Sequence, residues 1–494
     1  MARAELILAV DQGTSGSKAI LVGGAGEVVA RGSHPIGRTH PAPGWVEQSA
    51  DEVWTSVVAA VDTCLAGRDP YAIAAIGLSN QRESLLLWDR ATGEAVSPVL
   101  SWQDQRTAAR CAQLTAEGYA GLVRDRSGLP LDPMFSAAKG EWLLDHADPD
   151  RKRARNGELC LGTIDSWLLS RLGGEHLMEM GNAARTQLFN IRAQGWDADL
   201  LELFGIPEQL LPRVVPSTGP FPAAAGLAPL PDGVPITAVL ADSHAALFAH
   251  GRAGTGHVKA TYGTGSSVMG LCASDVDVGA GLCLTVAWAT DSVSYAVEGN
   301  IRSSGSTLGW LADLVGRTPG ELTALAATAS SDGIHLVPAF TGLGAPWWDA
   351  DAKATLTGMT FGSTVAHLAR AALESVAFQV EDVVAAVDAA AGRVDTLLAD
   401  GGASENADLM QLQADLSGRT VRRSLVPDLS ALGAAFLAGQ AIGRWTTDEL
   451  TAIERPGEDF GPRTTPDDRR SRITAWHAAV AASRTPTGGI DHAR

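Results

Sequence analysis

The chain has 494 residues, of which 45% are hydrophobic and 19% charged. That is more than one compact core holds and is unlike a disordered chain, so two large folded domains are expected. A formal net charge of -18 excludes nucleic acid as a main partner, because gripping a phosphate backbone needs a basic face. Any phosphate pocket must therefore make its positive potential locally, from backbone N–H groups, helix N-termini or a bound Mg²⁺.

The first residues carry Arg3 and Glu5 and run straight into a strand pattern, without signal-peptide architecture. Residues 6–10 read as a strand, residues 11–17 as a small polar turn, and residues 19–22 as a second strand. A helix follows at Ala50–Leu65 and a strand at residues 73–78, an alternation that fits an α/β architecture. Residues 207–235, rich in Pro and Gly, read as irregular. The opening pattern then recurs: an apolar stretch at residues 257–260, a polar turn at 261–267 and an apolar stretch at 268–271. Gly13-Thr14 and Gly263-Thr264 mark two domains that each begin with a Gly-Thr hairpin, with the boundary near residues 250–256. The expected domains are residues 1–250 and 251–494. Residues 364–391 read as a long Ala-rich helix, 448–468 as acidic and Pro-containing, and 469–484 as a last helix before a frayed end. Cys64, Cys111, Cys160, Cys272 and Cys283 are scattered without metal-ligand spacing and are expected to be free thiols of a cytoplasmic protein. No stretch of about 18 uncharged apolar residues exists, so no membrane span is expected.

Three Gly-rich turns carry the first chemical signal: the two hairpins and Ala399-Asp400-Gly401-Gly402-Ala403. Small residues let backbone N–H groups approach phosphate oxygens, although a tight turn alone would explain any one of them. The chain has no Gly-Lys dipeptide, hence no Walker A motif, and neither a dinucleotide fingerprint nor protein-kinase motifs. Asp11 and Asp242 each follow an apolar stretch, where α/β proteins present ligand-binding groups. One could hold Mg²⁺ through water and the other accept the proton of an attacking hydroxyl. Capping a turn or helix is the competing reading. Arg82-Glu83 with Trp102 offers donors, acceptors and an apolar wall for a polyol, or else a structural ion pair beside a core indole.

The segments Asp11-Gln12-Gly13-Thr14, Ser79-Asn80-Gln81-Arg82-Glu83, Trp102-Gln103-Asp104, Thr261-Tyr262-Gly263-Thr264-Gly265, Asp400-Gly401-Gly402-Ala403 and Ala431-Leu432-Gly433-Ala434-Ala435 occur in this order. So does the stretch at residues 337–346. As a set they resemble the FGGY carbohydrate kinases over nearly the whole chain, and within them the glycerol kinases. Both family signatures are recognisable, at residues 134–146 (with Gly140 in place of a larger apolar residue) and 354–374.

The resemblance implies two actin-like (ribonuclease H-like) α/β domains flanking a cleft, with ATP and Mg²⁺ as cofactors and a small polyol or sugar as acceptor. It implies Asp242 as general base and Asp11 with Asp242 as the Mg²⁺-linked carboxylates. Gly13, Thr14, Ser15, Lys18, Thr264, Gly265, Gly305, Gly401, Gly402 and Asn406 would contact ATP. Lys18 stands where glycerol kinases generally carry Arg. Arg82, Glu83, Trp102 and Asp242 match the glycerol kinase acceptor pocket, while Met134, Ser243 and Ser267 replace a Tyr, a Gln and a Phe. These changes remove hydroxyl-matching groups and an aromatic wall, which predicts an acceptor of four or five carbons rather than glycerol. Arg82-Glu83 argues against a xylulose kinase, the nearest alternative. A non-catalytic actin-like regulator that binds nucleotide or sugar would have lost the base or the phosphate turns, and a chaperone-like ATPase would carry a peptide-binding β domain. The family also implies a homo-oligomer, dimer or tetramer, in the cytoplasm.

Overall fold

The computed structural model describes residues 5–251 and 256–484. The first four residues, most of the expected domain boundary and the expected frayed end lie outside the described residues. The chain divides into two compact units. Unit 1 comprises Met1–Arg252, Leu284–Ala296 and Asp428–Glu454; unit 2 comprises Ala253–Cys283, Val297–Pro427 and Arg455–Arg494.

Unit 1 is built on a six-stranded sheet in the order Ala223–Ala224, Val234–Ala241, Ile73–Asn80, Leu6–Gly13, Gly16–Val22, Val28–Pro35. Leu6–Gly13 pairs antiparallel with Gly16–Val22 and parallel with Ile73–Asn80, which pairs parallel with Val234–Ala241. The expected turn at 11–17 shrinks to Thr14-Ser15, because Asp11, Gln12 and Gly13 stay in the ladder opposite Lys18, Ser17 and Gly16. Hydrophobicity stops at Val10, but a strand lasts as long as its backbone groups find partners, and Asp11 finds Ser79 on its other side. The strand expected at 73–78 runs on to Asn80 for the same reason.

Helix Ala50–Leu65 starts on a Ser49 cap and buries Val53, Val57, Ala60, Val61 and Cys64, one face at helical spacing. Helix Leu429–Ala441 packs against strand Ile73–Asn80 and helix Asp242–Ala249, and two glycines permit the approach. A Cβ on Gly433 would stand 1.8 Å from the Ala245 carbonyl oxygen, and one on Gly77 would stand 2.3 Å from that of Ala434. A second core in unit 1 gathers Leu85, Leu87, Leu100, Leu144, Leu161 and Phe204 around a four-stranded sheet and helix Ser136–Ala147.

Unit 2 holds sheet strands in the order Ser266–Cys272, His257–Tyr262, Thr396–Asp400, Thr420–Ser424, Gly457–Phe460. Its hairpin, two parallel neighbours and antiparallel edge strand repeat the pairing pattern of unit 1. Helix Val365–Ala391 begins on Thr364 and buries Leu373, Phe378, Val380 and Val384. Phe378 stacks on Trp476 of the last helix, Pro466–Ser483, with ring centroids 5.1 Å apart.

Two stretches, one read as irregular and one as acidic and Pro-containing, hold regular structure. Residues 448–468 include strand Gly457–Phe460, which pairs with Thr420–Ser424 because Phe460 is buried and Arg422 meets Asp459 at 3.0 Å. The acidic residues there answer arginines across the ladder. Residues 207–235 include strand Arg213–Val215, paired parallel with Leu177–Glu179. Among the described residues, no helix is long and apolar enough to cross a membrane.

Candidate active site

In unit 1 the three parallel strands end at one edge, with Asp11 beside Ser79 and Ala241 beside Asn80 in register. Asp242 is the first residue of helix Asp242–Ala249, so it emerges at that edge two strands from Asp11, about 10 Å by strand spacing. Asp11 accepts a hydrogen bond from the Ser79 hydroxyl at 2.9 Å. Burial, then the charge of Asp242, pushes its carboxyl up to about 6, against the opposing pull of Ser79 and Lys18. Lys18, opposite Asp11 in the hairpin, donates to Asp428 at 2.9 Å, and Arg31 donates to the other oxygen of Asp428 at 3.2 Å. Burial works against the Lys18 charge, but the Asp428 carboxylate outweighs it and holds the ammonium above its ordinary value.

Asp242 is 36% exposed and its Oδ1 lies 3.5 Å from Arg82 Nε. The same oxygen accepts the Ser243 N–H at 2.6 Å. Arg82 Nε is also 3.9 Å from Glu83 Oε1, and Glu83 in turn meets Arg185 Nε at 2.7 Å. Four charges of alternating sign therefore run from Asp242 inward. Glu83 holds this place with φ of +59°, a left-handed backbone that aims its side chain back into the unit. Trp102 receives its backbone position from Ser84 Oγ at 3.0 Å, and its indole N–H donates to Thr14 Oγ1 at 2.9 Å. Met134 precedes helix Ser136–Ala147, and its carbonyl accepts from buried Lys139 at 2.8 Å. Burial brings the Lys139 ammonium down to about 8, although Asp104, Glu83 and Asp132 favour its charge.

Unit 2 assembles the Gly-rich turns. Gly263-Thr264-Gly265 joins the hairpin strands, and Gly305 N–H donates to the Gly263 carbonyl at 2.9 Å. Gly401 has φ of +89°, and a Cβ there would stand 2.5 Å from the Tyr262 carbonyl oxygen. Thr264, Gly265, Gly305, Gly401 and Gly402 are thus brought around one hairpin end. Asn406 caps helix Ala407–Ser417, its side-chain oxygen accepting the Asp408 N–H at 2.9 Å. Ser267 stands on the hairpin of unit 2, donating to Glu298 at 2.9 Å.

The structure thus gathers Asp11, Gly13, Thr14, Ser15, Lys18, Arg82, Glu83, Trp102, Met134, Asp242 and Ser243 in unit 1, and the remaining candidates in unit 2. Asp11, expected at the start of the turn, lies within the strand. Sequence reasoning missed Arg185 and Asp428. Neither sits in a motif, and their partners are 102 and 410 residues away.

Comparison with known proteins agrees with these motifs. The family model for the N-terminal domain of the FGGY family of carbohydrate kinases matches residues 6–249, and that for the C-terminal domain matches residues 258–442. A glycerol kinase of Geobacter sp. (strain M21) is 42% identical over 489 residues, covering 97% of this chain and 99% of that protein. An apulose kinase of Pectobacterium atrosepticum is 42% identical over 487 residues, covering 97% and 98%. The crystal structure of Plasmodium falciparum glycerol kinase with ADP superimposes with a TM-score of 0.89 at 26% identity, covering 97% and 98%. The chain belongs to the FGGY family of carbohydrate kinases. It is an ATP-dependent kinase for a hydroxyl of a polyol or sugar, with two actin-like α/β domains.

Proposed function

We propose that this kinase phosphorylates a polyol or ketose of four or five carbons, with Asp242 as general base. The observation that carries the base assignment is the placement of Asp242: on a helix start at the parallel-strand edge, partly exposed, with Arg82 beside it at 3.5 Å. Arg82 and Glu83 would hold acceptor hydroxyls, and Trp102, fixed through Thr14, would wall the carbons. The acceptor hydroxyl attacks the γ-phosphate in line, ADP leaves, and Asp242 takes the hydroxyl proton.

Two carboxylates at one edge, one of them raised by burial and then by the other's charge, fit a divalent cation. Among the described residues no group of three or more metal-ligating side chains occurs, and Mg²⁺ in kinases is held by one or two carboxylates, water and phosphates. Asp11, with Asp242, would hold the ion, which neutralises phosphate charge when bound. Gly13, Thr14, Ser15 and Lys18 would face the γ-phosphate, and Lys18 would have to leave Asp428 to do so. The turns at Thr264-Gly265, Gly305 and Gly401-Gly402, with Asn406, would hold the rest of ATP. The assignment of acceptor and base to residues 1–250 and of ATP to residues 251–494 belongs to this proposal, as do a cytoplasmic location and a homodimer or homotetramer. The exposed Met359 (54%) and Phe361 (113%) support self-association, because large apolar side chains standing in water favour a covering partner.

Met134, Ser243 and Ser267 support the larger acceptor, and an apulose kinase among the relatives is in keeping with it. The test is ADP release over glycerol, tetritols, pentitols, ketopentoses and apulose. The expected outcome is a kcat/KM for one larger acceptor at least ~10-fold above glycerol, within the range one changed pocket contact commands. Preference for glycerol would sink the substrate assignment. Asp242→Asn should fold normally and lose about 10²–10⁴ in kcat; a rate near wild type would refute the base.

A further inference from the structure

We infer that Arg185 is the positioning residue of the acceptor pocket: it fixes the Glu83 carboxylate and thereby sets how Arg82 divides itself between Glu83 and Asp242. The inference rests on the proposed acceptor role of Arg82 and Glu83. Arg185 is fully buried, its Nε donates to Glu83 Oε1 at 2.7 Å, and its guanidinium lies 5.2 Å from the centroid of Phe135. A fully buried guanidinium is costly unless its geometry is used, and the carboxylate it meets at 2.7 Å is one of the two that flank Arg82. The Arg82–Glu83 contact, at 3.9 Å, is looser than the Arg82–Asp242 contact at 3.5 Å. With Glu83 satisfied from behind by Arg185, Arg82 is left leaning toward Asp242 and toward the exposed edge.

The turn that carries Arg185 is itself stitched to the strand that leads into Arg82 and Glu83. Asn182 and Asn80 exchange amide hydrogen bonds at 2.9 and 3.3 Å, and Asn80 ends strand Ile73–Asn80 two residues before Arg82. Asn182 is held in turn by Glu179, which accepts its backbone N–H at 2.8 Å and its amide at 3.2 Å. Glu179 also accepts the Ser217 hydroxyl at 2.6 Å. All of these residues are buried. The short segment from Glu179 to Arg185 thus brings a cation to Glu83 through two independent connections, one through side-chain amides and one through the ion pair. A structural clamp alone would need only the first.

If Arg185 acts through Glu83, removing it lets Glu83 draw Arg82 away from Asp242, and hydroxyl recognition loosens while nucleotide binding is untouched. The experiment is steady-state kinetics of the intact enzyme for Arg185→Met, Arg185→Lys, Glu83→Gln and the double variant Glu83→Gln/Arg185→Met, with thermal unfolding of each. Expected are a 10-fold or larger rise in acceptor KM for Arg185→Met, an ATP KM within 2-fold of wild type, and partial recovery of acceptor KM on adding guanidinium ion. In the double variant the second substitution should add less than 3-fold to the effect of Glu83→Gln. Additive effects, or a fall in thermal stability with acceptor KM unchanged, would overturn the inference. Should Arg185→Met fail to fold, Arg185→Lys, which keeps the charge and loses the fork, must still raise acceptor KM selectively. A Glu83→Gln variant with wild-type acceptor KM would instead refute the acceptor pocket itself, which separates the two failures.

Discussion

The two hairpins of this kinase share one strand pattern and differ in where the acid stands. In unit 1, Asp11 on the hairpin strand faces Ser79 on the parallel neighbour, and the Ser79 hydroxyl donates to it at 2.9 Å. In unit 2 the equivalent register sets Thr261 on the hairpin strand against Asp400 on the neighbour, and the Thr261 hydroxyl donates to Asp400 at 2.5 Å. The hydroxyl–carboxylate link is kept while its two ends are exchanged. The exchange matters because of what surrounds each acid. Asp11 has Lys18 opposite and feels the charge of Asp242, so its edge is an electrostatic centre. Asp400 leads directly into Gly401-Gly402, where absent side chains leave the backbone open to close approach. One fold position thus serves charge in one unit and close backbone approach in the other.

The comparison breaks first at its acids. Asp11→Asn should lower kcat by about 10²–10³, as loss of an electrostatic contact to the transferring group does, and weaken the response to Mg²⁺ in a metal titration. Thr261→Val in the mirrored pair should leave kcat within a few-fold. Equal losses from both would erase the distinction. Next comes Gly401→Ala, which forces a side chain into φ of +89° and within 2.5 Å of the Tyr262 carbonyl. ATP KM should rise about 10-fold, the equivalent of ~1.4 kcal/mol, with acceptor KM unchanged; a rise in acceptor KM alone would contradict the phosphate assignment. Thr261→Val should cost about 1–3 kcal/mol of stability, because it strips a hydrogen bond from a buried carboxylate, and thermal or urea unfolding reads it directly.

The smallest effect concerns pH. Asp11 is raised from 3.8 to about 6, so the folded state keeps a proton that the unfolded chain has already lost. Its contribution to stability is therefore present below 3.8 and is lost as pH rises toward 6. On the proposed role of Asp11, activity runs the other way: the carboxylate that would hold Mg²⁺ forms only as pH rises, so kcat/KM should show an acid limb near 6. Asp242→Asn, which removes the repelling charge, should shrink the stability loss over that window. An unchanged pH–stability curve would mean that the two acids do not interact.

Much of this site lies in short contiguous motifs, and those were legible. Asp11-Gln12-Gly13-Thr14, Arg82-Glu83 and Asp400-Gly401-Gly402 are local because a turn or strand end needs its residues in sequence. Strand lengths were less legible: Leu6–Gly13 outruns its apolar stretch, since hydrogen bonds from two neighbours, not hydrophobicity, decide where pairing stops. The strand Gly457–Phe460 was hidden for a related reason, its acids matched only once Arg422 and Arg423 stood across from them.

The sequence by itself determined the family, the reaction class and the repeated hairpins, all of which depend on residue type at short spacing. Tertiary structure alone decided that Asp11 and Asp242 share an edge, that Lys18 is held by Asp428, and that Glu83 is backed by Arg185. Those pairings join residues up to 410 positions apart. Packing sets them, because a buried charge must find its partner wherever the folded chain supplies one.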